Sequence, residues 1–179
     1  MSSVLAIVSK ALFEKMIPKA EAKLGAVVDT NQYMSNNKTF DGLKDGGAIF
    51  LVTVRPPDEK LWLVGVLESP KKKGDSWVAE ANEAPLTDIT AAIPKLQFAS
   101  GAGLHAKKGA LGMSLQTPRA LTDDDVSLLR GIVSTKPTSS KKLHASDAYT
   151  QAVDQVVHNP KRKKKKGGEE EDLGEAEDE

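Results

Sequence analysis

The chain has 179 residues and carries 25 basic and 25 acidic side chains, so its formal net charge is zero. Because it contains no cysteine, disulfide bonds, thiolate metal sites and cysteine nucleophiles are excluded. No apolar run approaches the roughly 20 residues that span a bilayer, so we expect no membrane partner and a cytoplasmic protein. If it binds nucleic acid, we expect it at the nucleoid in a bacterium or in the nucleus in a eukaryote.

The first half of the chain predicts three strands, two of which form a hairpin. The run SVLAIVS is a short apolar strand, and Pro18 ends any helix that follows it. After a polar segment, AIFLVTV (48–54) and LWLVGVLES (61–69) flank the turn RPPDEK. Both alternating faces of these two runs are apolar. That pattern is typical of a strand covered on both sides, or of a strand in a small barrel.

The second half predicts further short strands at SWVAEA, KLQFAS and MSLQT. Between them, PLTDITAAIP predicts a short helix with Thr87 as its N-cap. The clearest helix is LTDDDVSLLRGIV (121–133), because Thr122 is a typical N-cap and three aspartates favour the positive end of the helix dipole.

These elements predict an α+β fold: a small, mostly antiparallel β-barrel with short flanking helices. We assign residues 1–134 to this domain. Residues 135–160 are a Ser/Thr/Lys-rich linker in which 147–157 has the pattern of a short amphipathic helix. Residues 161–179 contain six basic and then eight acidic side chains, and we expect this tail to be disordered because it buries too little surface to offset chain entropy.

Few residue patterns point to catalysis, a metal or a cofactor. Gly101 and Gly103 begin a dinucleotide fingerprint, but Ala106 stands where the third glycine belongs, so a surface loop is the better interpretation. The histidines, His105, His144 and His158, lie too far apart for metal-ligand spacing. We therefore predict no metal, no cofactor and no catalytic residue.

Basic side chains form three groups that suit phosphate contacts. One precedes Trp77, one lies in the glycine-rich loop, and one opens the charged tail. Lysine and arginine side chains bind phosphates by releasing counterions, without reading sequence. The predicted phosphate contacts are Lys71, Lys72, Lys73, Lys107, Lys108, Lys161, Arg162 and Lys163.

The order of elements resembles the EVE domain of the PUA-like superfamily over about residues 4 to 133. The resemblance rests on the polar NQYMSNNKTFDGLKDGG, the strand AIFLVTV, the glycine-containing strand LWLVGVLE, the short KLQFASG and the helix opening LTDDDVSLL. It implies a β-barrel that holds a modified nucleotide beside its mouth.

The resemblance also implies which residues would bind the ligand. Tyr33 would stack on a base, and Ser9, Asn36 and Thr53 would donate or accept hydrogen bonds at its edge. Gly65 would allow a ligand or backbone to approach closely. The full implied set is Ser9, Asn31, Tyr33, Asn36, Thr53 and Gly65.

Three hypotheses for function remain open. The first is a noncatalytic PUA-like module that recognises a modified nucleotide, RNA or modified DNA. The second is a protein-interaction module that keeps only the scaffold and docks a partner through an exposed apolar patch, the 147–157 segment or the charged tail. The third is a small enzyme that uses His105 in the glycine-rich loop as an acid or base.

Overall fold

The computed structural model describes residues 2–104, 107–134 and 142–144. Its centre is a five-stranded sheet with the strand order β8-β5-β4-β1-β9. These strands are β1 (Ser3–Ile7), β4 (Ala48–Arg55), β5 (Lys60–Glu68), β8 (Thr87–Asp88) and β9 (Arg119–Leu121). The two central strands β1 and β4 run parallel, and the other pairs are antiparallel. The predicted α+β class is confirmed.

The predicted hairpin is present as β4 and β5, with Ile49 opposite Leu67 and Thr53 opposite Trp62. The register shifts after the pair of Leu51 with Gly65, which marks a β-bulge. Because the bulge inserts an extra residue, it adjusts which side chains of β5 meet those of β4 on each face.

Both faces of the central sheet are buried, as the doubly apolar strands indicate. One face packs against α1 (Lys10–Met16) and buries Phe13 and Phe40. The other face packs against a 3₁₀ helix, Thr90–Lys95, and against α2 (Leu111–Ser114) and α3 (Asp123–Ser134).

The predicted closed barrel is wrong for the part of the chain that the structure describes. Its central sheet is open, and the edge strands β8 and β9 have two and three residues. A barrel gives each strand one inner and one outer face, whereas β4 buries apolar side chains on both faces under separate layers. The central sheet is therefore covered by a separate layer on each face instead of closing into a barrel.

Smaller sheets lie beside the central one. A three-stranded sheet has the order β3-β7-β6, from β3 (Gln32–Met34), β7 (Ser76–Val78) and β6 (Lys71–Lys73). The short β2 (Val27–Asp29) pairs in parallel with β10 (Lys142–His144). The predicted helix at 147–157 and the tail at 161–179 lie outside the described residues.

The helix α3 begins as its sequence predicts. The Thr122 hydroxyl accepts a hydrogen bond from the Asp125 N–H at 3.1 Å, and the Asp125 carboxylate accepts one from the Thr122 N–H at 3.0 Å. The same carboxylate accepts the N–H groups of Gln97 and Phe98, both at 2.9 Å. Because these N–H groups bond to Asp125, the part of KLQFAS that follows Lys95 forms a loop rather than the predicted strand.

Two other local predictions are wrong. Thr87 is not a helix cap: it lies in β8 and donates its hydroxyl to the carbonyl of Pro85 at 2.8 Å. The run MSLQT is not a strand, since its first residues belong to α2. Leu111 and Leu115 lie four residues apart and both face the core, which is helical spacing.

Candidate functional site

Two clefts lie on either side of the β4–β5 hairpin tip. The first has a volume of about 490 Å³ and is lined by Pro57, Glu59, Ile93, Lys107, Lys108 and Leu111, among others. The second has a volume of about 440 Å³ and is lined by Ile7, Ser9, Lys10, Val54, Pro57 and Gln116, among others. Pro57 and Glu59 line both clefts, so the hairpin tip divides one larger concave region.

The clefts lie at the carboxyl ends of the two parallel strands. Ile7 ends β1 and Val54 is the last residue but one of β4, and both line the second cleft. In doubly wound α/β sheets, ligands bind outside the carboxyl ends of the parallel strands. The second cleft has that position at the parallel pair of β1 and β4.

The clefts have apolar floors and charged rims. Glu59 accepts a hydrogen bond from the backbone N–H of Gly109, which ties the hairpin tip to the glycine-rich loop. Lys10, Lys107 and Lys108 are exposed at the rims. With Glu59 engaged by the loop, Asp58 is the other carboxylate that lines the first cleft.

An exposed methionine follows two cleft-lining residues in the chain. Met113 of α2 is 71% exposed, the more exposed of the two large apolar side chains that reach the surface of the described part. It follows Leu111, which lines the first cleft, and Gly112, which lines the second. Exposed methionine is common at protein-binding surfaces because its side chain adapts to a partner.

The predicted base-stacking residue, Tyr33, lies in β3 and packs against the core. Its ring stacks on Phe40 with 5.6 Å between centroids, and its hydroxyl donates to the carbonyl of Ile7 at 3.1 Å. Burial raises the pKa of Tyr33 to about 12. The ring and the hydroxyl of Tyr33 therefore both contact other residues of the chain.

Two of the predicted ligand-binding residues, Asn36 and Ser9, are hydrogen-bonded within the chain, and a third, Asn31, is exposed. Asn36 is exposed and donates its amide to Asp75 at 2.9 Å, Ser9 caps α1 by accepting from the Leu12 N–H at 3.2 Å, and Asn31 is exposed. Of these, Ser9 lines the second cleft.

Thr53 and Gly65 lie inside the protein. Thr53 is completely buried on β4, and its hydroxyl has no hydrogen-bond partner among the described residues. Gly65 faces the amide of Asn82, and a Cβ at this position would lie 2.8 Å from two atoms of that amide. The close approach that the glycine allows is made by the chain's own side chain, and the proposed ligand role of these residues stays a prediction.

The predicted phosphate contacts fall on two separate surfaces. Lys71, Lys72 and Lys73 are exposed on β6, an edge strand, whereas Lys107 and Lys108 border the first cleft. Lys72 lies 5.8 Å from the ring centroid of Trp77, which is itself buried. Lys161, Arg162, Lys163 and His105 lie outside the described residues.

Several residues at the clefts were not predicted from the sequence. Lys10, Glu59 and Met113 belong to different segments, and no local pattern marks them. The Pro-Pro turn was a weak indication of this site in the sequence. It is a rigid, exposed turn, and it separates the two clefts. Within the described residues, no group of three or more histidine, cysteine or carboxylate side chains suits a metal ion.

Comparisons with protein-family models, with curated proteins and with solved structures find no match for this chain. In the part of the chain that the structure describes, no helix is long and apolar enough to cross a membrane.

Proposed function

We propose that this chain is a noncatalytic protein-binding module that holds a short peptide segment of a partner across the two hairpin-tip clefts. The observation that carries the proposal is the pair of adjoining clefts, of about 490 and 440 Å³, next to the exposed Met113. Two apolar floors on either side of a ridge fit two side chains of an extended peptide.

The lining favours a peptide over a nucleotide base. Base recognition relies on aromatic side chains that stack on the base, and no aromatic residue is found among the described residues that line either cleft. Apolar side chains such as Ile93 and Leu111 instead suit aliphatic groups of a partner.

The charge at the rims favours an acidic peptide. The three lysines that border the clefts, Lys10, Lys107 and Lys108, outnumber the two carboxylates there, Asp58 and Glu59. Complementary charge raises the rate of association and selects against basic partners. The partner segment therefore combines apolar side chains with aspartate or glutamate.

Peptides selected from a displayed random library against the full chain test this proposal. Selected sequences should be rich in acidic and aliphatic residues, and Met113→Asp or the pair K107E/K108E should weaken the best synthetic peptide by about tenfold, as loss of one good contact does. Leu24→Asp is the matched control, since Leu24 is the other exposed large apolar residue and does not line the clefts. Equal weakening by L24D, or none by M113D, contradicts the proposal.

Nucleic-acid binding is the second candidate, and the exposed lysines of β6 favour it. Three consecutive cations on an edge strand suit phosphate contacts that do not read sequence. A base reader at Tyr33 would additionally need its ring to leave Phe40 and its hydroxyl to leave Ile7. Contact with phosphates is therefore better supported than recognition of a modified base.

A further inference from the structure

Three polar groups on one face of the hairpin are buried without a hydrogen-bond partner. They are the hydroxyl of Thr53, the indole N–H of Trp62 and one terminal nitrogen of the Arg55 guanidinium. Thr53 is directly opposite Trp62 in the register, and Arg55 is two residues beyond Thr53 on β4. Because alternate residues of a strand share a face, all three side chains leave the sheet in the same direction.

The guanidinium of Arg55 is held in place by two rings. Its carbon lies 4.8 Å from the ring centroid of Phe13 in α1 and 5.6 Å from that of Trp62. The side chain is 14% exposed. These cation–π contacts stabilise the position of the group without using its N–H donors.

The carboxylate that forms an ion pair with Arg55 does not satisfy its unpartnered donor. Glu14 lies 3.6 Å from the terminal nitrogen of Arg55, which is an ion-pair distance but too long for a hydrogen bond, and Glu14 is 43% exposed. The cluster therefore presents a cation and two neutral groups able to donate, with one carboxylate at its open side.

We infer that Arg55, Trp62 and Thr53 form a binding site for a small oxyanion group, a phosphate or a carboxylate. A buried donor without an acceptor is costly, and such groups in native proteins normally have a partner. An oxyanion is the acceptor that satisfies a guanidinium and two neutral donors at once. This site faces α1 on the opposite side of the sheet from Val54, and none of its residues lines either peptide cleft.

The carboxylate of Glu14 would compete with a bound oxyanion for the guanidinium of Arg55. This carboxylate lies beside the guanidinium that the oxyanion would bind, so the two negative charges repel each other. Removing the Glu14 charge should tighten oxyanion binding, whereas removing the Arg55 charge should weaken it. A merely structural role of the cluster does not produce opposite effects at these two positions.

The test follows the two indole N–H signals by nuclear magnetic resonance on the full chain. Inorganic phosphate and acetate are titrated in separate arms at constant ionic strength, with chloride as the reference salt. The Trp62 signal should move with at least one of them, and the arm that saturates first identifies the oxyanion. In a Lys72→Gln background the Trp77 signal is an internal control, because its N–H donates to the carbonyl of Ser35 at 3.2 Å, whereas Lys72, a candidate phosphate contact, lies 5.8 Å from its ring centroid.

Variants decide between oxyanion binding and adventitious shifts. Arg55→Gln should weaken binding by about tenfold or more, and Glu14→Gln should strengthen it several-fold. Thr53→Val, which retains the shape of the side chain, should weaken binding and keeps the test valid if R55Q does not fold. A Trp62 signal that follows chloride equally, or titrations that neither E14Q nor T53V changes, would overturn the inference.

Discussion

The side-chain amide of Asn82 occupies the space that a side chain at Gly65 would need. Its oxygen accepts the N–H groups of Val66 and Ala84, both at 2.9 Å, and its nitrogen donates to the carbonyls of Val28 at 2.9 Å and Ala84 at 3.0 Å. One buried amide thus joins β5 to β2 next to the β-bulge.

Asn82→Ala should therefore lower the free energy of unfolding by about 3 kcal/mol, because it leaves several buried backbone groups unpaired. Gly65→Ala should cost a comparable amount, since the new Cβ displaces that amide. Urea unfolding of the full chain measures both. Asn31→Ala, at an exposed position, is the control and should change stability by less than about 0.5 kcal/mol; a similar loss in all three variants would contradict the role of Asn82.

Tyr33 should titrate at a pKa of about 12, above its ordinary value of 10.0, because burial disfavours the phenolate. Its folded-state pKa is raised, so the stability it contributes is complete below about pH 10 and is lost as the pH rises toward 12. Ultraviolet difference absorbance of a Y149F variant isolates this titration, and Y33F provides the converse control. An ordinary pKa for Tyr33 would contradict the burial of its hydroxyl.

Asp125→Asn should destabilise the chain by about 2 kcal/mol at neutral pH, since the carboxylate accepts backbone N–H groups from two segments. Burial alone would raise the pKa of Asp125, but the hydrogen bonds from Gln97, Thr122 and Phe98 outweigh it and leave the pKa lowered.

A lowered folded-state pKa means that this stability is present above the ordinary pKa of 3.8 and is lost as the pH falls below it. The free energy of unfolding, measured at several pH values, should decrease less on acidification in D125N than in the unchanged protein. Asp124→Asn is the matched control, because Asp124 is exposed in the same helical turn. Equal effects of D124N and D125N would contradict the capping role.

If β6 contacts phosphates, replacing Lys71, Lys72 and Lys73 by glutamine should reduce the salt dependence of duplex binding. Three lost phosphate contacts correspond to a decrease of roughly 2.7 in the slope of log affinity against log salt concentration. Fluorescence anisotropy with a short labelled duplex at several salt concentrations measures this slope.

The controls separate β6 from other cations. The pair K19Q/K23Q, at exposed positions before β2, should leave the slope nearly unchanged. Glutamine in place of the basic residues at 161–166 reports the contribution of the tail. A slope that depends on the tail alone would place phosphate binding away from β6.

The α+β class, the hairpin and α3 follow from local patterns. In β4 the apolar residues occupy both alternating positions, and such a strand needs cover on both faces wherever it lies. The start of α3 is local as well, since Thr122 and Asp125 are three residues apart and satisfy each other's N–H groups.

The local patterns failed where a distant group competes for the backbone. KLQFAS has the composition of a strand, but the N–H groups of Gln97 and Phe98 donate to Asp125, about 28 residues later in the chain. Thr87 resembles a cap, but it lies in β8 next to Leu63 of β5. Neither partner is visible from the neighbouring sequence.

The sequence by itself determined the short-range features of this protein: the turn between β4 and β5, the cap of α3 and the need to bury both faces of the hairpin. Tertiary structure decided that the sheet stays open, that Asn82 rather than a ligand approaches Gly65, and that Arg55, Trp62 and Thr53 share one face. The physical reason is distance along the chain. Periodicity and capping act within a few residues, whereas strand pairing and side-chain contacts join residues tens of positions apart.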